Sequence, residues 1–389
     1  MKFLDAARAA APWMVDLRRQ IHRRPELGNQ EFETAAAVEA ALASMGLKPR
    51  RLLETAVVCD IEGALPGPTV ALRADLDALP LQEETGLPYA SEIPERMHAC
   101  GHDFHVAGLL GAAKLLSARR DVLPGTVRLL FQPDEEGDGG ARRLMEAGCL
   151  EGVACVFGAH VRPELPAGRV GVKYGPAYAA SNPFVIRIKG RAAHGAEPQL
   201  GADALLAGAQ IVTALQSIVA RRVAPADSAV LTVGTFHAGT ACNILAGEAV
   251  LEGMLRTFGE EARRTLVDAV TDLATSIARG MGCEAEVRFT WGYPGIVNHD
   301  RETALVERAA QALLGPEAVT RHAAPLMTTE DFGYYLQAVP GCFYHVGVGC
   351  DAPLHSPRFT PDEAALPVLA ALHAQVAWTA LNEGAMDAG

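Results

Sequence analysis

The chain has 389 residues and a formal net charge of -12, with 49% of its residues hydrophobic and 21% charged. This supplies core for two domains or one large one, while the acidic balance, without a basic run or aromatic–basic interleaving, argues against a nucleic-acid partner. Eight scattered cysteines with no CxxC read as reduced thiols rather than a disulfide frame, and no apolar run reads as long enough to cross a membrane.

The first stretch, MKFLDAARAAAPWMVDLRRQ, is broken by Asp5, Arg8 and Asp16. It reads as an amphipathic helix and not as a signal peptide; the reduced cysteines make a cytoplasmic protein the expectation. QEFETAAAVEAALASMG follows as a helix ending at Gly46, and PTVALRAD as a strand. HVAGLLGAAKLL sets Val106, Leu109, Leu110, Ala113 and Leu116 on one helical face. TVRLLFQ and VACVFGA are short apolar runs of buried-strand type. Strands alternating with helices predict an α/β domain with a largely parallel sheet flanked by helices.

The pattern changes near Ser181. NPFVIRIKG, GADALLAGAQIVTALQSIVARR, SAVLTVGTFH, GEAVLEGMLRTF, EEARRTLVDAVTDLATSIARGMG and CEAEVRFTW read as β-α-β-β-α-β, a ferredoxin-like α+β order. After WGYPG the α/β character returns, with a helix at ETALVERAAQALLG and a buried strand at GCFYHVGVG. The expected organisation is a discontinuous α/β domain over 1–180 and 300–389, with an α+β domain inserted at 181–299.

In open α/β sheets ligands bind beyond the carboxyl ends of the strands. Here PTVALRA runs into Asp75 and Asp77, TVRLLFQP into Asp134, Glu135 and Glu136, and VACVFGA into His160. MHACGHDFH enters a helix and can face the same edge. Cys100 and His102 flank Gly101, which permits a bend that aims both at one point; thiolate and imidazole suit a borderline divalent metal. Glu135 and Glu136 are adjacent, so their side chains are expected to diverge, one toward a metal and the other toward a water. Taken singly, each feature has a plainer reading: Cys100 as a small buried hydrophobe, His160 as a core histidine, Glu135-Glu136 as a solvated turn, Asp75 and Asp77 as helix caps. Their convergence on one edge favours a site. His98 and His105 read as supporting residues, and Cys59, Cys149, Cys155, Cys242 and Cys283 as packing residues.

HRRPELGNQE, LRADLDALP, MHACGHD, LFQPDEEG, GAHVRPELPAG, HGAEP, MTTEDFGYY and LHSPRF occur in the order of the M20 metallopeptidase family. Across nearly the whole chain the sequence resembles that family's amidohydrolase branch, which includes hippurate, N-acyl-amino-acid and auxin-conjugate hydrolases. The resemblance implies two divalent metal ions per subunit, Mn2+ first, with Zn2+, Co2+ or Ni2+ open. It puts Cys100, His102, Glu136, His160 and His355 in the ligand positions, Cys100 as a bridge, and Glu135 as general acid and base. Asp77 takes the place of a carboxylate that orients a ligand, and Asp75 stands where other branches carry a ligand histidine. The inserted domain resembles a lid and dimerisation domain. In it, His194 would stabilise the carbonyl oxygen, often across a dimer interface, and Asn243 and Arg256 would hold the oxyanion or a substrate carboxylate.

The implied activity is hydrolysis of the amide bond of N-acyl-amino acids to a carboxylic acid and a free amino acid, by a homodimer or homotetramer with no nucleic-acid or membrane partner. A dipeptidase or an N-acetyl-diaminopimelate-type deacetylase is the alternative. A non-catalytic metal or ligand binder and a hydrolase with Cys100 as nucleophile stand as further readings. Phe104, Val106, Asp134, Asp138 and Ala246 depart from the family's motifs; Phe104 is expected to shape the pocket.

Overall fold

The computed structural model describes residues 2–224 and 228–387, the last four of these by backbone alone. Met1, in the first quoted helix stretch, and 388–389, the end of the expected 300–389 segment, lie outside them. The chain divides into two compact units. One holds the residues up to Gly175, Asn298–Ala324 and those from Asp331 on; the other is Pro176–Val297 with Pro325–Glu330.

The first unit opens with α1 (Phe3–Arg23), which buries Phe3, Ala7, Met14, Leu17 and Ile21 at helical spacing, and α2 (Phe32–Ser44). Strands β1 (Arg50–Arg51), β2 (Val57–Glu62) and β3 (Leu65–Asp75) follow. Then come α3 (His102–Ser117), β4 (Pro124–Gln132), α4 (Gly140–Glu146), β5 (Val153–Arg162) and β6 (Val170–Val172). Once the chain returns with β13 (Val319–Arg321) and β14 (Gly341–Gly347), the sheet reads β1-β2-β4-β3-β5-β14-β6-β13, and its strands β4, β3, β5 and β14 run parallel. Their apolar runs are buried on both faces, as a parallel sheet covered by helices requires. Parallel strands end on the same edge, so β3 delivers Asp75, β4 delivers Gln132 and β5 delivers His160 to one place.

The second unit begins as β7 (Gly175–Tyr178) leads into β8 (Ala180–Lys189). Phe184, Ile186 and Ile188 are buried while Arg187 and Lys189 face out, the period-two alternation of a half-covered strand. After α5 (Ala204–Arg222), β9 (Ala229–Ala238), β10 (Glu248–Thr257), α6 (Glu260–Gly280) and β11 (Glu284–Phe289), the four strands order as β11-β8-β10-β9, all antiparallel. Asp203 caps α5 by accepting the Leu206 N–H. Ile211, Leu215 and Ile218 of α5, with Leu266 and Val270 of α6, form the core with the sheet.

The chain leaves through β12 (Ile296–Asn298) and completes the first unit with α7 (Asp300–Leu314), β13 (Val319–Arg321), α8 (Gly333–Ala338), β14 (Gly341–Gly347) and α9 (Leu366–Asp387). α9 packs on α1, α3 and α7. Among the described residues two helices are long and apolar enough to cross a membrane by length and composition, contrary to the sequence expectation: Ala204–Arg222 and Glu363–Glu383. The second is mostly buried inside the protein. Alanine-rich core helices reach such hydropathy because they must be apolar nearly all round.

Candidate metal centre

The site grows from three strand ends and one helix entry. Gly101 precedes α3 with φ at 88°, the left-handed region, and a Cβ there would come 2.6 Å from Val161 Cγ2. Only glycine fits that corner without strain, and the corner turns Cys100 and His102 toward the edge. Asp134 takes a second left-handed corner, at φ 58°, after β4. The turn at 135–138 follows, and Asp77 accepts the Glu135 and Glu136 N–H groups at 3.0 and 2.9 Å.

Glu135 and Glu136 therefore do not diverge, as an extended chain would make them. Glu135 Oε2 and Glu136 Oε1 both lie 4.0 Å from His102 Nε2. The tight turn, rather than a strand, sets their directions. Asp77 caps no helix; it holds this turn, and its Oδ1 is also 3.3 Å from His102 Nδ1. His355, also left-handed at φ 63°, enters from a loop late in the chain. Its backbone N–H donates to Ala99 O at 2.9 Å, and its Nε2 sits 3.1 Å from Glu136 Oε1.

Two triads able to hold a cation result. In each, the donor atoms lie within 4.8 Å of one another: Cys100, His102 and His160, and Cys100, Glu136 and His355. Cys100 belongs to both. Its Sγ is 3.3 Å from His160 Nε2, and His160 donates Nδ1–H to Val161 O at 2.8 Å, which leaves Nε2 as the ring nitrogen available to a cation.

The donor set fits a divalent cation. Both ring nitrogens of His102 and Glu136 Oε1 are buried without a hydrogen bond; Asp77 beside His102 Nδ1 and His355 beside Glu136 Oε1 lie within reach but off the line of a bond. Unsatisfied buried groups are costly, and a cation would satisfy His102 Nε2 and Glu136 Oε1. Electrostatics agree. Burial pushes the Cys100 thiol well up, with Glu136 and Glu135 adding to the rise; a bound cation reverses that sign and deprotonates a coordinating thiol. Burial and His105 push His160 well down, keeping it neutral as a ligand must be. For His102, burial pulls down, but Asp75, Asp77 and Glu136 win and raise it to about 10. That is the response of an imidazole ringed by carboxylates whose positive charge comes, without a metal, from a proton.

Comparison with known proteins gives a single picture. The model of Peptidase family M20/M25/M40 matches residues 71–379. The chain belongs to that family. It is a hydrolase acting on amide bonds. It is 42% identical over 354 residues to N-acetyl-L-cysteine deacetylase of Bacillus subtilis (strain 168), covering 91% of this chain and 84% of that protein. It is 40% identical to IAA-amino acid hydrolase ILR1-like 4 of Arabidopsis thaliana, covering 95% and 86%. The fold matches, at TM-score 0.88 and 38% identity, a Bacillus subtilis crystal structure described as a dinuclear metal-binding peptidase from the M20 family, covering 96% of this chain and 99% of that one.

The remaining expected residues of this M20 chain lie in the second unit. His194 forms a bridge with Ile244, and Gly195 N donates to Asn243 O at 2.8 Å, so His194 and Asn243 are neighbours; both are exposed. Arg256 lies near the far end of β10 with Nη1 buried and unbonded. Phe104 does not shape a pocket: it is fully buried in the core of the first unit, because the first turn of α3 packs inward. Cys242 is exposed, not a packing residue.

Sequence reasoning gave no role to several buried residues that hold the site. Arg73 donates to Asp75, Asp331 and Gln132 at 2.6, 2.9 and 2.9 Å. Arg18 and His22 bind Asp103, next to His102, at 2.7 and 2.8 Å. Glu31 accepts the Asp134 N–H at 2.9 Å. His22, Glu31 and Asp331 sit in the HRRPELGNQE and MTTEDFGYY motifs; a charged residue inside a quoted motif without a proposed task was the available signal.

Proposed function

We propose that this M20 enzyme cleaves N-acyl-amino acids to a carboxylic acid and a free amino acid, using two divalent metal ions held by Cys100, His102, Glu136, His160 and His355. The observation that carries this is the sharing of Cys100 between two ligand triads, with the Glu135 carboxylate beside them. Thiolate, imidazole and carboxylate donors together suit Mn2+, our first choice, or Zn2+, Co2+ or Ni2+. The relatives' names support acyl-amino-acid substrates. Bound cations would polarise the amide carbonyl and make a water acidic.

Glu135 collects the proton of the attacking water and returns it to the leaving amine nitrogen. Asp77 keeps the Glu135–Glu136 turn in register while this happens. His194 donates to the oxyanion as it develops, Asn243 helps to hold it, and Arg256 binds the substrate carboxylate through its planar fork.

The enzyme works in the cytoplasm as a homodimer or homotetramer, with the inserted 181–299 domain as lid and dimerisation element. Exposed Leu205, Phe236 and Ile244 on the second unit support assembly. So does the spacing of Asn243 and Arg256. They flank most of β10, roughly 25 Å at a strand's rise per residue, too far for both to touch one small substrate from the same chain.

The test is Glu135→Gln in metal-loaded enzyme, assayed on benzoyl-, acetyl- and indoleacetyl-amino acids and on dipeptides. The variant should retain its metal and lose about 10²–10⁴-fold in kcat. Full turnover by Glu135→Gln refutes the acid–base role, and turnover of dipeptides alone refutes the substrate class.

A further inference from the structure

Two members of the conspicuous motifs are not spent by the proposed mechanism: Asp75, at the end of β3, and His105, one turn into α3. Both are buried, at 0% and 1% exposure. With His102 they group closely enough to hold a cation, but their bonds point elsewhere. His105 Nδ1 is 2.6 Å from Asp75 Oδ1. His105 Nε2 is 3.0 Å from the Val161 backbone nitrogen, which donates to it. An N–H can be received only by an unprotonated ring nitrogen, so the His105 proton is on Nδ1 and is donated to Asp75. Both nitrogens are committed, which removes His105 as a ligand.

Asp75 is fixed in turn. Its other oxygen takes Arg73 Nη1 at 2.6 Å, and Arg73 reaches Asp331 and Gln132 beyond it. At the other end of the chain of bonds stands Val161. Its N–H goes to His105, and its carbonyl accepts the His160 Nδ1–H at 2.8 Å. One peptide residue thus joins the His105 ring to the His160 ring. The rings also pack edge to face, with centroids 4.6 Å apart, and His105 stacks on His102 at 5.5 Å.

We infer that His105 is a positioning residue for the metal centre: held in one tautomer by Asp75, it pins the Val161 backbone that fixes the orientation of His160. The inference rests on His160 being a metal ligand. It assigns the role to one hydrogen bond, the acceptance of Val161 N–H by Nε2, and so separates variants that packing alone would treat alike. In His105→Gln the amide oxygen falls where Nε2 was and can receive Val161 N–H. In His105→Asn the shorter amide matches the Nδ1 position and reaches Asp75 only. His105→Leu fills space and bonds neither.

The experiment is calorimetric titration of the full-length apo-proteins with Mn2+ alone, beside their thermal melts, with His160→Ala as control. His105→Leu and His105→Asn should bind Mn2+ about 10–100-fold more weakly than wild type, and His105→Gln should recover most of that loss even where its melting temperature matches that of His105→Asn. Equal affinities for Gln and Asn variants, or wild-type affinity for Leu, overturn the inference. Should the Leu variant fail to fold, the Gln–Asn comparison decides alone. If His160→Ala binds Mn2+ like wild type, the ligand assignment itself falls, and this inference with it; if His160→Ala binds weakly while the Gln and Asn variants tie, only the role of His105 falls.

Discussion

Gly101→Ala isolates what the backbone contributes to the metal centre, because the substitution adds one methyl between two expected ligands and removes no functional group. Two costs follow from the geometry. The φ of 88° is unfavourable for any residue with a Cβ, at about 1–2 kcal/mol. The new Cβ would also lie 2.6 Å from Val161 Cγ2, an overpacking cost of about 1–3 kcal/mol in a close-packed interior. Their sum is roughly 2–5 kcal/mol, or a fall of about 4–10 °C in the melting temperature of a unit this size. Cys100 and His102 should shift with the corner, so metal affinity should fall as well. The two costs can be separated. In a double-mutant cycle with Val161→Ala, the steric part should appear as a coupling of about 1–3 kcal/mol, while the φ part should persist in the double variant. Denaturant melts of the four apo-proteins measure both costs, and Mn2+ titration measures the accompanying loss of affinity. A single variant that melts within about 1 °C of wild type, or a cycle with no coupling, refutes the reading of Gly101 as an obligate corner.

Glu31 offers a pH test. Burial, with the Asp77 charge adding, raises its carboxyl from 4.5 to about 7, against the opposing bonds from Thr55 and Asp134. A folded-state value above the unfolded one means the native state binds more protons between the two, so stability falls as pH rises from about 4.5 through 7. Glu31→Gln mimics the protonated form and should stabilise the protein by about 1–3 kcal/mol at pH 8 but hardly at pH 4.5; a melting difference independent of pH contradicts this. Asp77→Asn should cost about 1–3 kcal/mol and weaken metal binding about 10–100-fold, since an amide presents a donor to one of the two N–H groups that Asp77 now accepts; unchanged Mn2+ affinity would show that the Glu135–Glu136 turn holds itself. Chelation should abolish turnover and lower the melting temperature, with about 2.7 kcal/mol of stabilisation restored when free metal reaches a hundred times its dissociation constant. Turnover that survives complete chelation would instead favour Cys100 as a nucleophile.

The local pattern of the chain determined a good deal about this protein. Apolar runs of buried-strand type in alternation with helices predict a largely parallel sheet, and such a sheet brings its strand ends to one edge. Cys100, His102, Glu136 and His160 could be singled out because each lies at such an end or at a helix entry, and the motif order supplied the family. Tertiary structure alone decided the rest, for one physical reason: sequence periodicity reports the face a residue turns to its own neighbours, not which distant segment closes against it. His355 reaches Cys100 through a backbone bond to Ala99, made across about 250 residues with no local pattern to announce it. The convergence of Glu135 and Glu136 depends on a left-handed corner at Asp134 and on Asp77 beneath the turn. Phe104 reads as a pocket residue beside a site motif, yet helix packing carries it into the core. Asp331 and Glu31 become supports of the site only because the fold buries them where an arginine or a backbone N–H needs a carboxylate.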